Sequence, residues 1–310
     1  MDPDKVKQIE LYLKSHGYKY ISISNTHDCD KIHKLLMYDV TCDNSEELND
    51  VLNLYMGVFY QINNNEQLMK RYYLAAIKQG NEIAMNNLAF WYKSEKKYNL
   101  MEKYLIMATC KKNHDAMNSI ACWYKIQNQY QLMHKYYLMA IECGNVLAMN
   151  NLGKWYHEQN DYKLMKKYYL MAIERGNSNA MYNLAQWYCQ WKNYRLMEKY
   201  YLMAIETGNV IAMNTLGVWY KNRGKYQLMK KYYLMAIDNG NINAMNNLGY
   251  WHYQQGNYVL MEKYWLMAIK NGNILNISKL VSYYQNNKDT SKYIEFMEYY
   301  KMNWNGTLKI

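Results

Sequence analysis

The sequence predicts an all-α chain in which antiparallel helix pairs stack in tandem as an α-solenoid, and three observations predict it. Shifting the chain against itself by 32 residues brings Trp91, Trp123, Trp155, Trp187, Trp219 and Trp251 into one column, continued outward by Phe59 and Tyr283. The same shift aligns Leu88, Ile120, Leu152, Leu184, Leu216, Leu248 and Leu280, and the pairs Tyr136-Tyr137, Tyr168-Tyr169, Tyr200-Tyr201 and Tyr232-Tyr233. Composition agrees: 37 Tyr and 24 Met stand beside 3 Phe and 1 Pro, as when one segment is copied repeatedly.

Within one unit, residues 177–208, the apolar period is helical. At about 100° per residue, Ala180, Met181, Leu184, Ala185, Trp187 and Tyr188 share one side of a first helix, helix A. Asn179, Tyr182, Asn183, Gln186 and Cys189 fill its other side. In a second helix, helix B, Tyr194, Leu196, Met197, Tyr200, Tyr201, Met203, Ala204 and Ile205 oppose Arg195, Glu198, Lys199 and Glu206. No alternation of period two survives, and Ala, Met, Leu, Lys and Glu favour helix over strand.

The turns follow from the same columns. Gly80, Gly144, Gly176, Gly208, Gly240 and Gly272 follow helix B, where the chain enters the left-handed region. Asn81, Asn145, Asn177, Asn209, Asn241 and Asn273 come next, each placed to cap the following helix A. Lys112 takes the Gly place once, which predicts either a costly positive φ or an opened turn. Ala89, Ala121, Gly153, Ala185, Gly217 and Gly249 recur where two helices must approach closely. A lone pair leaves one apolar edge open, so stacking on neighbours is obligatory.

These columns span residues 48–303 as about eight units, the last degenerate. From about Asn276 the Ala and Met columns fail, and FMEYYKM at 296–302 reads as a displaced helix-B motif, implying four inserted residues. Residues 304–310 form a tail. Residues 1–47 lack the repeat and read as an N-terminal cap: Asp2-Pro3 opens a short helix, YKYISIS is extended, and DCDKIHKLL is another helix.

Several function classes are excluded. No stretch approaches the roughly 18 consecutive apolar residues of a membrane span, and the opening MDPDKVKQIELYL is too charged for a signal peptide. The six cysteines form no CxxC pair, so neither a disulfide framework nor a zinc module is indicated, and a reducing intracellular compartment is expected. His27, Cys29, His33 and Cys42 are the only metal-like cluster, and their spacing matches no zinc module. HExxH, GxSxG and phosphate-loop patterns do not occur, and Trp, Tyr and Met at helical spacing read as core. Neither an enzyme nor a cofactor is expected.

NAMNNLGxWY followed by YxLMEKYYLMAIExGN resembles the Sel1-like branch of the tetratricopeptide-repeat superfamily over residues 48–303, most closely in AIERGNSNAMYNLA at 172–185. The chain departs from it at HEQNDY, 157–162, where the usual Gly-rich insertion between helices is missing. The richness in Asn, Lys, Tyr, Ile and Met is similar to that of AT-rich genomes, and 32-residue arrays of this kind resemble those of giant DNA viruses, for which host cytoplasm is the expected location. The resemblance implies an adaptor that binds other proteins without catalysis, with helix A along a concave face.

On that face Asn86, Asn118, Asn150, Asn214 and Asn246 share a column with Tyr182, a ladder of amides suited to an extended peptide backbone; the plainer reading is solvated surface. The next column, Asn87, Asn151, Asn183 and Asn247, matches a family Asn expected to make a structural hydrogen bond. Phe90, Cys122, Lys154, Gln186, Val218 and Tyr250 vary from unit to unit, as do Lys93, Lys125, His157, Cys189, Lys221 and Tyr253. Asn118, Asn150, Lys154, Tyr182, Gln186, Asn214 and Asn246 are therefore the expected partner-binding residues. On helix B, Leu74, Leu105, Leu138, Leu170, Leu202, Leu234 and Leu266 interrupt the polar arc, either tucked under the next unit or forming an apolar ridge.

The net charge of +11 and the column Arg71, Lys103, Lys135, Lys167, Lys199, Lys231 and Lys263 make an RNA-binding solenoid the alternative. Glu102, Glu198 and Glu262 beside it read instead as part of a solvated mixed-charge face, so nucleic acid is the lesser reading. A second alternative is an array tethering an active N-terminal domain.

Overall fold

The computed structural model describes residues 50–303 with the exception of 289. The expected cap at 1–47, with His27, Cys29, His33 and Cys42, and the tail at 304–310 lie outside the described residues. The described residues form sixteen α-helices and no strand, in two compact units divided between residues 152 and 153. The first holds α1 (Asp50–Ile62), α2 (Glu66–Lys78), α3 (Glu82–Ser94), α4 (Tyr98–Cys110), α5 (His114–Ile126) and α6 (Tyr130–Glu142). The boundary falls inside α7 (Val146–Glu158). The second unit continues with α8 (Tyr162–Glu174), α9 (Ser178–Gln190), α10 (Tyr194–Glu206), α11 (Val210–Lys221), α12 (Tyr226–Asp238), α13 (Ile242–Gln254), α14 (Tyr258–Lys270), α15 (Leu275–Asn286) and α16 (Thr290–Asn303). Odd helices are helix A and even ones helix B. No described helix is long and apolar enough to cross a membrane.

Where helix A carries glycine in the small-residue column, a helix-B ring is laid directly on its backbone. In the first unit a Cβ added to Gly57 would stand 2.4 Å from Tyr73 Cδ1. In the second, Gly153 and Gly217 meet Tyr169 and Tyr233 in the same way, at 2.7 and 2.6 Å, and Gly249 meets Trp265 Cδ1 at 2.4 Å. The small-residue column is thus the seat of a buried helix-B ring. Beside it a second pair of rings stacks across the two helices, Tyr60 on Tyr72 at 5.5 Å in one unit and Tyr156 on Tyr168 at 5.6 Å in the other.

Successive pairs are tied by one helix-B position that changes sign. Where it is Lys, the ammonium covers the Trp of the next helix A: Lys70 over Trp91 at 4.2 Å, Lys166 over Trp187 at 4.3 Å and Lys230 over Trp251 at 4.7 Å. Where it is Glu, the carboxylate accepts from the Tyr beside that Trp: Tyr124 to Glu102 at 2.7 Å, Tyr220 to Glu198, and Tyr284 to Glu262 at 2.7 Å. These three glutamates are therefore inter-repeat ties, which corrects their reading as part of a solvated face. Burial and then the Glu102 carboxylate push the Tyr124 phenol well up.

The expected caps form. Asn177 Oδ1 accepts from Ala180 N at 2.8 Å, with equivalents from Asn81 to Asn241. The same side chain also reaches back one repeat, Asn81 Nδ2 donating to Asp50 at 3.0 Å and Asn145 Nδ2 to Asp115 at 2.9 Å. Asn273 is an exception, because α15 starts later with Ile274 as an N-cap that makes no side-chain bond.

The Lys112 turn stays closed: φ is 62°, and the Asn113 N–H bonds Ala108 O at 3.2 Å as its glycine equivalents do. It is not a singular weak joint, since Asn64, Lys96, Asn128, Asn160, Lys192 and Lys288 hold the same left-handed backbone at helix A-to-B turns. The last pair also departs from expectation. Helix α16 starts 32 residues after α14, and Phe296 takes the place of Tyr264 against Tyr284 at 6.0 Å, so no residues are inserted.

Two predictions follow from the seated rings. Gly217→Val forces two methyl groups into Tyr233 and should destabilise the chain by about 1–3 kcal/mol in urea denaturation. Gly217→Ala should cost less, because Ala121 and Ala185 occupy the same place in other repeats. Burial pushes Tyr233 up from 10.0 to about 12. Below the unfolded value both states hold the proton and this contribution is complete; above it the unfolded chain ionises first, so stability falls as pH rises toward the folded value. Helical circular dichroism should be lost together with the rise of tyrosinate absorbance above pH 10; buried tyrosines that ionise with helix intact would contradict the assignment.

Candidate polypeptide-binding face

Helix A exposes one stripe per repeat because its other faces are spent on the Trp, Leu and small-residue columns. In the first unit Asn118 is half-buried and Asn150 is buried. Asn118 Oδ1 accepts from Asn151 Nδ2 at 3.0 Å. Asn151 also lies 3.7 Å from Cys122 Sγ, which meets the Tyr137 phenol at 3.3 Å. The network runs from a seated ring to the exposed stripe.

In the second unit Lys154 is exposed, while Tyr182 and Gln186 are half-buried and joined, Gln186 Nε2 donating to Tyr182 Oη at 2.7 Å. Asn214 Oδ1 accepts from Asn247 Nδ2 at 3.1 Å, and Asn246 Oδ1 accepts from Lys279 Nζ at 3.1 Å. Expectation is corrected here. The first amide column is no ladder of free groups: the oxygens of Asn118, Asn214 and Asn246 are engaged by the following repeat. Asn151 and Asn247 make the structural bonds expected of their column, and their partners are the residues assigned to the site. The NH2 groups of Asn118, Asn214 and Asn246 take no part in these three bonds.

Sequence reasoning missed an aromatic recess in the second unit. Tyr250, Tyr253, Tyr258, Trp265 and Tyr283, with Lys279, line a cavity of about 560 Å3. Tyr253 stacks with Trp265 at 5.9 Å, and Tyr258 lies 5.3 Å from Tyr283. Its signal was the exchange of Tyr for Trp265 in the seated-ring column.

On helix B, Leu74, Leu170 and Leu234 remain exposed, whereas Leu138, Leu202 and Leu266 are half-buried, so neighbouring repeats tuck the column only in part. Leu105 is buried and belongs to the seated-ring column; the exposed Ile106 stands in the Leu register instead.

No protein-family profile matches the sequence, and no curated protein matches it. Among solved structures, a Sel1 repeat protein from Oxalobacter formigenes is similar at a TM-score of 0.53 and 21% identity, over 69% of this chain and 96% of that one. Yeast Tom70 is similar at a TM-score of 0.61 and 12% identity, over 86% of this chain and 59% of that one. At these identities the likeness is one of fold: the helix-pair solenoid of Sel1 and tetratricopeptide repeats.

The paired amides predict coupling. In a double-mutant cycle with Asn214→Ala and Asn247→Ala, urea denaturation should yield an interaction of about 0.5–1.5 kcal/mol; strict additivity would remove the bond from the account.

Proposed function

We propose that the chain is a non-enzymatic scaffold whose helix-A face, concave by the resemblance, binds an extended or helical segment of another protein. One observation carries this reading. Within each unit the Leu88 column and the column from Tyr73 to Trp265 stay buried from repeat to repeat, while the adjoining stripe is accessible and changes in chemistry: Phe90 and Cys122 in the first unit, Lys154, Gln186, Val218 and Tyr250 in the second. Packing does not dictate those side chains, and a mixed lining suits one specific polypeptide better than a uniform polymer. Amide NH2 groups at Asn118 and Asn214 would donate to backbone carbonyls, with Tyr182 and Gln186 contributing a hydrogen-bonded rim.

The exposed lysines of helix B support a second reading, in which RNA runs along Lys167, Lys199, Lys231 and Lys263, each 5.4 to 5.7 Å from a tyrosine ring. Affinity capture with and without nuclease separates the two. Protein partners should persist after nuclease and weaken at least tenfold with Tyr182→Ala plus Asn214→Ala, circular dichroism being unchanged. Partners that vanish with RNA would overturn the scaffold, and undiminished capture by the double variant would move the site off this face.

A further inference from the structure

Leu105 stands where helix B of the neighbouring repeats carries a ring. Tyr73 and Tyr137 hold the column in the same unit, both buried. The path of those rings is defined. Tyr73 crosses the backbone of Gly57 and its phenol donates to Gln61 Oε1 at 2.6 Å; the Tyr137 phenol meets Cys122 Sγ at 3.3 Å. One repeat over, the residues equivalent to Gly57, Cys122 and Gln61 are Ala89, Phe90 and Lys93. These three, with Met101 and Leu105 behind them and Cys122 and Ile126 of α5 in front, line a cavity of about 270 Å3. It lies on the route a tyrosine ring would take, and opens because Leu105 is too short to follow that route.

The rim asks for cover. Phe90 is 45% and Ile126 66% exposed, although the cavity beneath them is mostly apolar. Lys93 lines the cavity where a seated phenol would find its partner, and no carboxylate is among the lining residues. We propose that this cavity is an empty tyrosine socket that receives an aromatic side chain, flanked by acidic residues, from a partner polypeptide. The incoming ring would fill the volume that the chain's own tyrosines fill in the neighbouring repeats, and Lys93 would pair with its phenol oxygen or an adjacent carboxylate. The occupant rests on the proposed polypeptide-binding reading; the socket does not.

The socket is tested without a partner. p-Cresol, the tyrosine side-chain analogue, should give saturation-transfer NMR signals with the full chain and slow alkylation of Cys122. Leu105→Tyr, which restores the chain's own ring, should weaken p-cresol binding by about tenfold or more. Absence of p-cresol binding, or binding unchanged in Leu105→Tyr, would overturn the socket while leaving the helix-A reading standing. Should the variant not fold, protection of Cys122 in the unmodified chain decides the matter. The occupant is tested with acetylated EEYEE against EEAEE: the tyrosine peptide should bind about tenfold more tightly, and lose that advantage in Leu105→Tyr. Equal binding of the two peptides would overturn the acidic aromatic partner, as would self-association that Leu105→Tyr abolishes, which would place a second copy there.

Discussion

The contact that sets the spacing of these helix pairs is that of an aromatic ring resting on the facing helix, seen most closely where that helix carries glycine. A helix pair of this kind has no room for a side chain between Gly217 and Tyr233, or between Gly153 and Tyr169, where even a Cβ would come within 2.6 to 2.7 Å of the ring. The close approach lets a whole tyrosine be buried within a pair of thirteen-residue helices such as α7 and α8. It also sends the phenol oxygen through to the opposite face, so Tyr137 ends beside Cys122 and Tyr73 beside Gln61. Core and outer stripe are therefore one connected layer, and a change in the buried column alters the exposed surface. Among the described residues this column departs from Tyr at Leu105, Trp265 and Met297, and a cavity lies beside each of the first two.

Between repeats, charge selects among interchangeable ties. The position of Lys70, Glu102, Lys166, Glu198, Lys230 and Glu262 faces both a Trp and the Tyr next to it in chain order. An ammonium takes the ring face and a carboxylate accepts a hydrogen bond from the phenol, so either sign binds the next helix A without altering the backbone. His252, in the tyrosine column above Lys230, stacks on Tyr264 at 5.8 Å, and burial followed by the Lys230 charge lowers its pKa. The capping asparagines are similarly two-sided: Asn145 caps its own helix through Oδ1 and holds Asp115 of the preceding one through Nδ2.

The candidate face was legible in its columns but not in its chemistry. Residues at a spacing of 32 share a position, so Asn118, Tyr182 and Asn214 could be grouped from the sequence. Their bonds run at a spacing of 33, from Asn151 to Asn118 and from Asn247 to Asn214, because helix A of one repeat meets the next displaced by one residue. Comparison at the repeat period does not reveal that offset, and a column of acceptors thus read as unoccupied. The recess around Trp265 escaped for a related reason: its walls come from three helices, α13, α14 and α15, and no single column contains them.

The sequence by itself determined the helix pairs, their 32-residue period, the Gly and Asn turns and the buried columns. Each of these is set by local backbone preference or by the rotation of side chains about a helix, which act within a few residues. Only the tertiary structure decided that the small residues seat a ring, that Glu102 and its equivalents are ties, that Asn118 is engaged, and that the final pair keeps the period despite its altered motif. Those outcomes depend on which atoms meet across 12 to 33 positions of chain, as with Tyr73 and Gln61 or Asn151 and Asn118. Distances of that kind are set by how helices settle against one another, a property of packed volumes rather than of any one segment.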